Sequence, residues 1–110
     1  MLVVGDSMTG DDIHDGDFIV IDQGRHPEDG DIAVVQFTTS RGPRGPVIKH
    51  VRTGAVCVGD RNGLLLESSN PADPPNIITP DADPVIEGLV VGVARRPDGR
   101  TWTYFRIGPD

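Results

Sequence analysis

Apolar residues in this chain fall in short runs, and turn-forming pairs separate them. Residues 17–22 (D-F-I-V-I-D) follow Asp15-Gly16, and residues 31–37 (D-I-A-V-V-Q-F) follow Asp29-Gly30. Both read as strands entered from a tight turn. Further strands are predicted over 47–51, 55–58, 64–67, 85–94 and 100–107, the last entered through Pro97-Asp98-Gly99. Asn62-Gly63 between two of these runs is a hairpin signal. A short apolar run at 2–4 ends on Gly5. No window sustains apolar residues at i, i+3, i+4 and i+7, so one helical turn over 7–13 is all the helix expected. Residues 68–84 carry five prolines and few large apolar groups, and read as a surface loop. There is no internal repeat. The pattern predicts a mainly β, antiparallel domain spanning 1–110, with 97–110 supplying an extra C-terminal strand.

Composition narrows the function classes. The 110 residues fit one domain. Ten Lys and Arg against 17 Asp and Glu give a formal charge of −7, which argues against direct nucleic-acid binding by this domain. The run at 88–94 is far too short to span a bilayer, and the first residues lack the basic and apolar regions of a signal peptide. A single cysteine allows no internal disulfide and fits a reducing, cytoplasmic compartment. No membrane and no cofactor are expected.

The chemistry centres on Gly5-Asp6-Ser7-Met8-Thr9-Gly10, directly after the first apolar run. A Ser on a tight strand-to-turn corner offers an exposed Oγ with backbone N–H groups beside it. These are the parts of acyl transfer, a nucleophile and an oxyanion hole. The same residues also suit a Ser that caps a short helix, with the glycines only permitting the turn. A nucleophilic Ser needs a base. The chain has one lysine, Lys49, in the run Val47-Ile48-Lys49-His50-Val51. Strand alternation puts Lys49 on the face of Val47 and Val51, and Ile48, His50 and Arg52 on the other. A lysine on an apolar face is desolvated and can serve as a neutral base; a lysine that snorkels along the strand edge is the other reading.

Taken in order, the blocks are more specific than any one of them. Gly5-Asp6-Ser7-Met8 is followed by Ile13-His14-Asp15-Gly16-Asp17, Asp29-Gly30-Asp31-Ile32, the Lys49 strand, Glu67-Ser68-Ser69-Asn70 and the run at 86–93. Over residues 3–96 this resembles the C-terminal peptidase domain of LexA-type repressors, UmuD-type mutagenesis proteins and phage lambda-type repressors. The resemblance implies a twisted antiparallel β-fold whose core is shared with signal peptidases. It implies a Ser–Lys dyad, with Ser7 as nucleophile, Lys49 as general base and the backbone N–H groups of Asp6 and Ser7 as oxyanion hole. It implies autoproteolysis of an N-terminal linker stimulated by the RecA filament, cleavage of a repressor in the SOS response, and a homodimer built on the strand at 85–94. The alternatives within the resemblance are a non-cleaving dimerisation and partner-binding module of a phage-like repressor, and a mutagenesis subunit.

The departures from that pattern set further expectations. The Ser7–Lys49 gap is somewhat long, and the Gly/Pro loop at 39–46 is the natural place for extra residues. Another insertion is expected at 54–63. Neither a DNA-binding domain nor a cleavage segment precedes Ser7 in the sequence, so the chain is expected to be inert toward itself and to cut a linker supplied to it.

Other readings of the same residues are weaker. A GDSL-type esterase would share the Gly-Asp-Ser block, but its Gly-x-Asn-Asp block is missing, and the single Asp-x-x-His, Asp11 to His14, stands too close to Ser7. A signal peptidase would carry a membrane anchor. Residues 11–22 resemble a calcium loop, with Gly16 at its sixth place, but Ile13 stands at a ligand position. His14, His26 and His50 share no metal-ligand spacing and read as solvated, so no metal is expected. Cys57 reads as a buried small hydrophobe, and Arg41 and Arg44 as parts of a solvated loop. Trp102, Tyr104 and Phe105 read as core, or as a partner interface.

Overall fold

In the computed structural model, residues 1–39 and 45–107 are described; the expectations for Arg41, Arg44 and the end of the tail at 108–110 lie outside them. The strands are β1 (Phe18–Asp22), β2 (Ile32–Phe37), β3 (Val47–Val58), β4 (Arg61–Glu67), β5 (Asn76–Ile78), β6 (Pro84–Arg95) and β7 (Thr103–Arg106). All the pairings between them are antiparallel. The sheet runs β1-β6-β2-β3-β4-β5, and β7 joins it on β6. Helical structure among the described residues is limited to two 3-10 turns, Thr9–Asp11 and Pro80–Ala82. The mainly β, antiparallel expectation holds.

The twelve-residue β6 is the spine. Its Leu89 pairs with both Asp22 of β1 and Ala33 of β2, so those strands lie on opposite edges. Beyond Leu89, β2 leaves its edge, and β7 takes that place beside residues 92–95. Alternation then sorts the side chains into two cores. Ile32 and Val34 of β2 join Val3, Met8, Ile13, Ile48 and Val93 on one face. Ala33 and Val35 join Val51, Leu64, Leu66 and Ile78 on the other. A strand buried on both faces reads as a continuous apolar run, which is what I-A-V-V shows. Each large aliphatic side chain fully buried here contributes roughly 1.5–3 kcal/mol.

Buried charge appears where loops meet β6. Asp17 is buried and accepts two hydrogen bonds from Arg95, at 2.8 and 2.7 Å, and one from the His14 backbone N–H. The Arg95 guanidinium also donates to the Asp12 carbonyl and lies over the Phe105 ring. This pair ties the loop after Ser7 to both β6 and β7.

Several local expectations are corrected. The runs at 47–51 and 55–58 form one strand, β3, because Gly54 accommodates a positive φ of 76° and the register shifts between Thr53 and Cys57. The hairpin turns at Gly59-Asp60, not at Asn62-Gly63, since Val58 pairs with Arg61 and Cys57 with Asn62. Gly63 instead lies inside β4, where a Cβ would overlap the Ile78 carbonyl. The predicted loop at 68–84 contains β5, whose Ile78 is buried. Cys57 is exposed rather than buried, because the β3–β4 hairpin projects beyond the cores. At the tail, Phe105 and Ile107 pack on the first core, while Trp102 and Tyr104 stay half exposed.

Candidate active site

Ser7 stands on the turn between Gly5 and the 3-10 turn Thr9–Asp11. Gly5 takes a φ of 95°, which reverses the chain there, and its N–H donates to the Asp15 carboxylate at 2.8 Å. Met8, next to Ser7, is buried in the first core and anchors the turn. Ser7 itself is partly exposed.

Lys49 is the third residue of β3, between its β2 neighbour Ala33 and the β4–β5 connector. It is only 8% exposed. Burial pushes its ammonium below the usual 10.5, and the Asp73 carboxylate partly opposes that shift. Its Nζ donates to Ser68 Oγ at 2.6 Å. Val47 and Val51 pack toward the second core as alternation predicts. The snorkelling alternative does not describe Lys49.

Ser7 and Lys49 line the same cleft, of about 470 Å³. Its other walls are largely apolar, from Met1, Leu2, Val4, Met8, Pro46 and Ile48. A partly desolvated amine and a serine hydroxyl open to one apolar trough suit an extended peptide and proton transfer from the hydroxyl.

In the sequence, Glu67-Ser68-Ser69-Asn70 stands out only as a matching block. In the fold this segment clasps the Ser7 turn. Asn70 N–H donates to the Ser7 carbonyl at 3.0 Å, and Asn70 Nδ2 donates to the Asp6 carbonyl at 3.2 Å. The Asp11 N–H donates to Ser69 Oγ at 3.1 Å. Gly10 is required by this contact, because a Cβ there would overlap the Ser69 carbonyl. The available signal in the sequence was polar residues directly after a buried strand.

His50 corrects the solvated reading. Its Nδ1 lies 2.6 Å from the Gly30 carbonyl and its Nε2 lies 2.7 Å from Asp11 Oδ2. Both acceptors call for N–H donors, so the imidazolium is favoured. Desolvation opposes the charge, but the Gly30 carbonyl and Asp11 carboxylate outweigh it, and the pKa lies above the ordinary 6.5. His14 is half exposed and pairs with Asp12, and His26 is exposed. No three His, Cys, Asp or Glu side chains converge on a metal-sized site among the described residues, and no helix among them is long and apolar enough to cross a membrane.

Comparison with known proteins places the chain in a family. Residues 1–91 match the Peptidase S24-like family. Over 95 residues the chain is 39% identical to LexA repressor 2 of Pseudomonas syringae pv. tomato, an alignment that takes in 86% of this chain and 41% of that protein. The chain therefore spans about two fifths of the length of the curated relative it matches. A β-fold with Ser7 and Lys49 facing one cleft, matched over most of its length by one family, makes the chain a member of the Peptidase S24-like family.

Proposed function

We propose that this domain is a serine endopeptidase of a self-cleaving, LexA-like repressor, with Ser7 as nucleophile and Lys49 as general base. The observation that carries the reading is the pairing of a buried lysine and a serine turn on one apolar cleft. Lys49 in its neutral form takes the proton from Ser7 Oγ as the oxygen attacks a peptide carbonyl. The N–H groups of Asp6 and Ser7 hold the resulting oxyanion. Lys49 then passes its proton to the departing amine, and water hydrolyses the acyl-enzyme by the same base.

The substrate in this proposal is an extended linker, tethered ahead of the domain and laid along the cleft beside β3. Backbone pairing holds it as an added strand. Tethering favours this segment over free peptides through effective concentration. A RecA filament as trigger, a cytoplasmic setting and a homodimer belong to the same proposal. They rest on the family and on the relative being a repressor.

The test is a fusion carrying an extended Ala-Gly segment ahead of Met1, followed by mass spectrometry of the products. Cleavage within the segment is expected, with casein left intact over the same time. Comparable cleavage of casein would contradict a linker-specific peptidase.

A further inference from the structure

We infer that the connector Ser68–Asn70 after β4 is the positioning segment of the dyad, with Ser68 orienting the Lys49 amine and Asn70 fixing the backbone of Ser7. The inference rests on the Ser7–Lys49 reading and adds two residues to it. Both side chains come from one short stretch of chain, so a single element registers two groups 42 positions apart in sequence.

Ser68 acts on the base. Lys49 Nζ donates to Ser68 Oγ at 2.6 Å, in a site where the amine is buried. An amine on a four-carbon stem has many rotamers, and one fixed partner removes most of them. The hydroxyl can accept from the ammonium and donate to the neutral amine, so it serves Lys49 in both protonation states. Among the charged groups, Asp73 on the same connector acts on Lys49, and the Met1 ammonium at the cleft wall is engaged by the Ile19 carbonyl.

Asn70 acts on the nucleophile. A trans peptide points its C=O and N–H in opposite directions within one plane. Asn70 Nδ2 holds the Asp6 carbonyl, and the N–H of that peptide unit belongs to Ser7. Asn70 N–H holds the Ser7 carbonyl, which lies in the next peptide unit. One residue therefore fixes both peptide planes that flank Ser7 Cα. That sets the direction of Oγ and of the Ser7 N–H together. Asn70 is itself held, since its Oδ1 accepts the Ala72 N–H at 3.0 Å and its carbonyl accepts the Asp73 N–H at 3.0 Å.

The experiment follows cleavage of the Ala-Gly fusion across pH in Ser68→Ala, Ser68→Cys, Ser68→Thr and Asn70→Asp, with Ser7→Ala and Lys49→Ala alongside. Ser68→Ala and Ser68→Cys are expected to cut roughly tenfold more slowly, the loss for one hydrogen bond to a charged group. Their acid limb should move to lower pH, because the ammonium has lost an acceptor. Ser68→Thr, which keeps the hydroxyl, should recover most of the rate. Asn70→Asp keeps the backbone N–H and the turn acceptor but loses the donor to Asp6. For a separately supplied Ala-Gly peptide it should lower kcat and leave KM nearly unchanged. If Ser68→Ala, Ser68→Cys and Asn70→Asp match the parent in rate and pH profile while Ser7→Ala and Lys49→Ala are inactive, the positioning inference is wrong and the dyad stands. If Ser7→Ala still cuts, the dyad reading itself fails. Loss of the fold in Ser68→Ala leaves the decision to Ser68→Cys, which keeps the volume.

Discussion

At the scale of single residues, two buried charges make opposite contributions to stability. Lys49 is held below its usual 10.5, first by desolvation. Its folded form therefore loses a proton more readily than its unfolded form. Near neutral pH the buried ammonium is a cost, and that cost fades as pH rises through the folded pKa toward the unfolded one. Lys49→Met should raise stability at pH 7 in urea melts, with the gain shrinking as pH rises toward the unfolded pKa, and abolish cleavage. Because the neutral amine is the base, cleavage by the parent should rise with pH up to the Lys49 pKa. Asp17 works the other way. The Arg95 hydrogen bonds hold its carboxyl below the usual 3.8, against the desolvation that raises it. Its stabilising contribution is present above about pH 4 and is lost as pH falls through the depressed folded value. Asp17→Asn leaves the Arg95 guanidinium only the exposed Asp12 carboxylate, 3.5 Å away, and should cost about 2 kcal/mol, less than a fully buried pair because Arg95 is partly exposed.

At the scale of elements, the sequence was informative wherever one strand carried its own signal. Strand β2 reads directly from I-A-V-V, and Lys49 stands out because a lone lysine alternates with valines. The connector after β4 was not legible in that way. Its role depends on which carbonyls lie opposite Asn70, and long-range backbone pairing leaves no local pattern. Strand β5 was hidden for a related reason. It is three residues long among prolines, and it exists because Gly63 lets the Ile78 carbonyl approach β4. Gly63→Ala should push β5 off the sheet edge. Hydrogen exchange is then expected to rise at 76–78 and stay unchanged in β2, whereas a uniform rise would mean the whole sheet depends on Gly63. The Asn62-Gly63 hairpin signal misled because a two-residue turn was also available at Gly59-Asp60, and the pairing of Cys57 with Asn62 selects that one.

At the scale of the whole molecule, the tail completes the sheet and shapes its outer face. Strand β7 covers β6 at 92–95, and its Phe105 joins the first core. Tyr104 packs over Gly92, and Trp102 meets Phe18 edge-on at 5.4 Å between ring centroids. This leaves Phe18, Val20, Trp102 and Tyr104 partly exposed. Aromatic residues of this kind are common interface anchors, and the homodimer we propose would use them. Truncation after Arg96 should therefore weaken dimerisation in analytical ultracentrifugation as well as lower the melting temperature. A truncated chain that dimerises as tightly as the full one would remove the tail from the interface. The alternation of Trp102 and Tyr104 against Phe105 and Ile107 was readable from sequence; the strand they pair with was not, because several edges were open to them.

The central claim is that Lys49 activates Ser7. It is tested most directly by reacting the chain with a fluorophosphonate at alkaline pH and locating the adduct by peptide mass spectrometry. The account predicts one adduct, on Ser7, that is lost in Lys49→Ala while the fold is kept. An adduct on Ser68, or labelling of Ser7 that persists undiminished in Lys49→Ala, would contradict it.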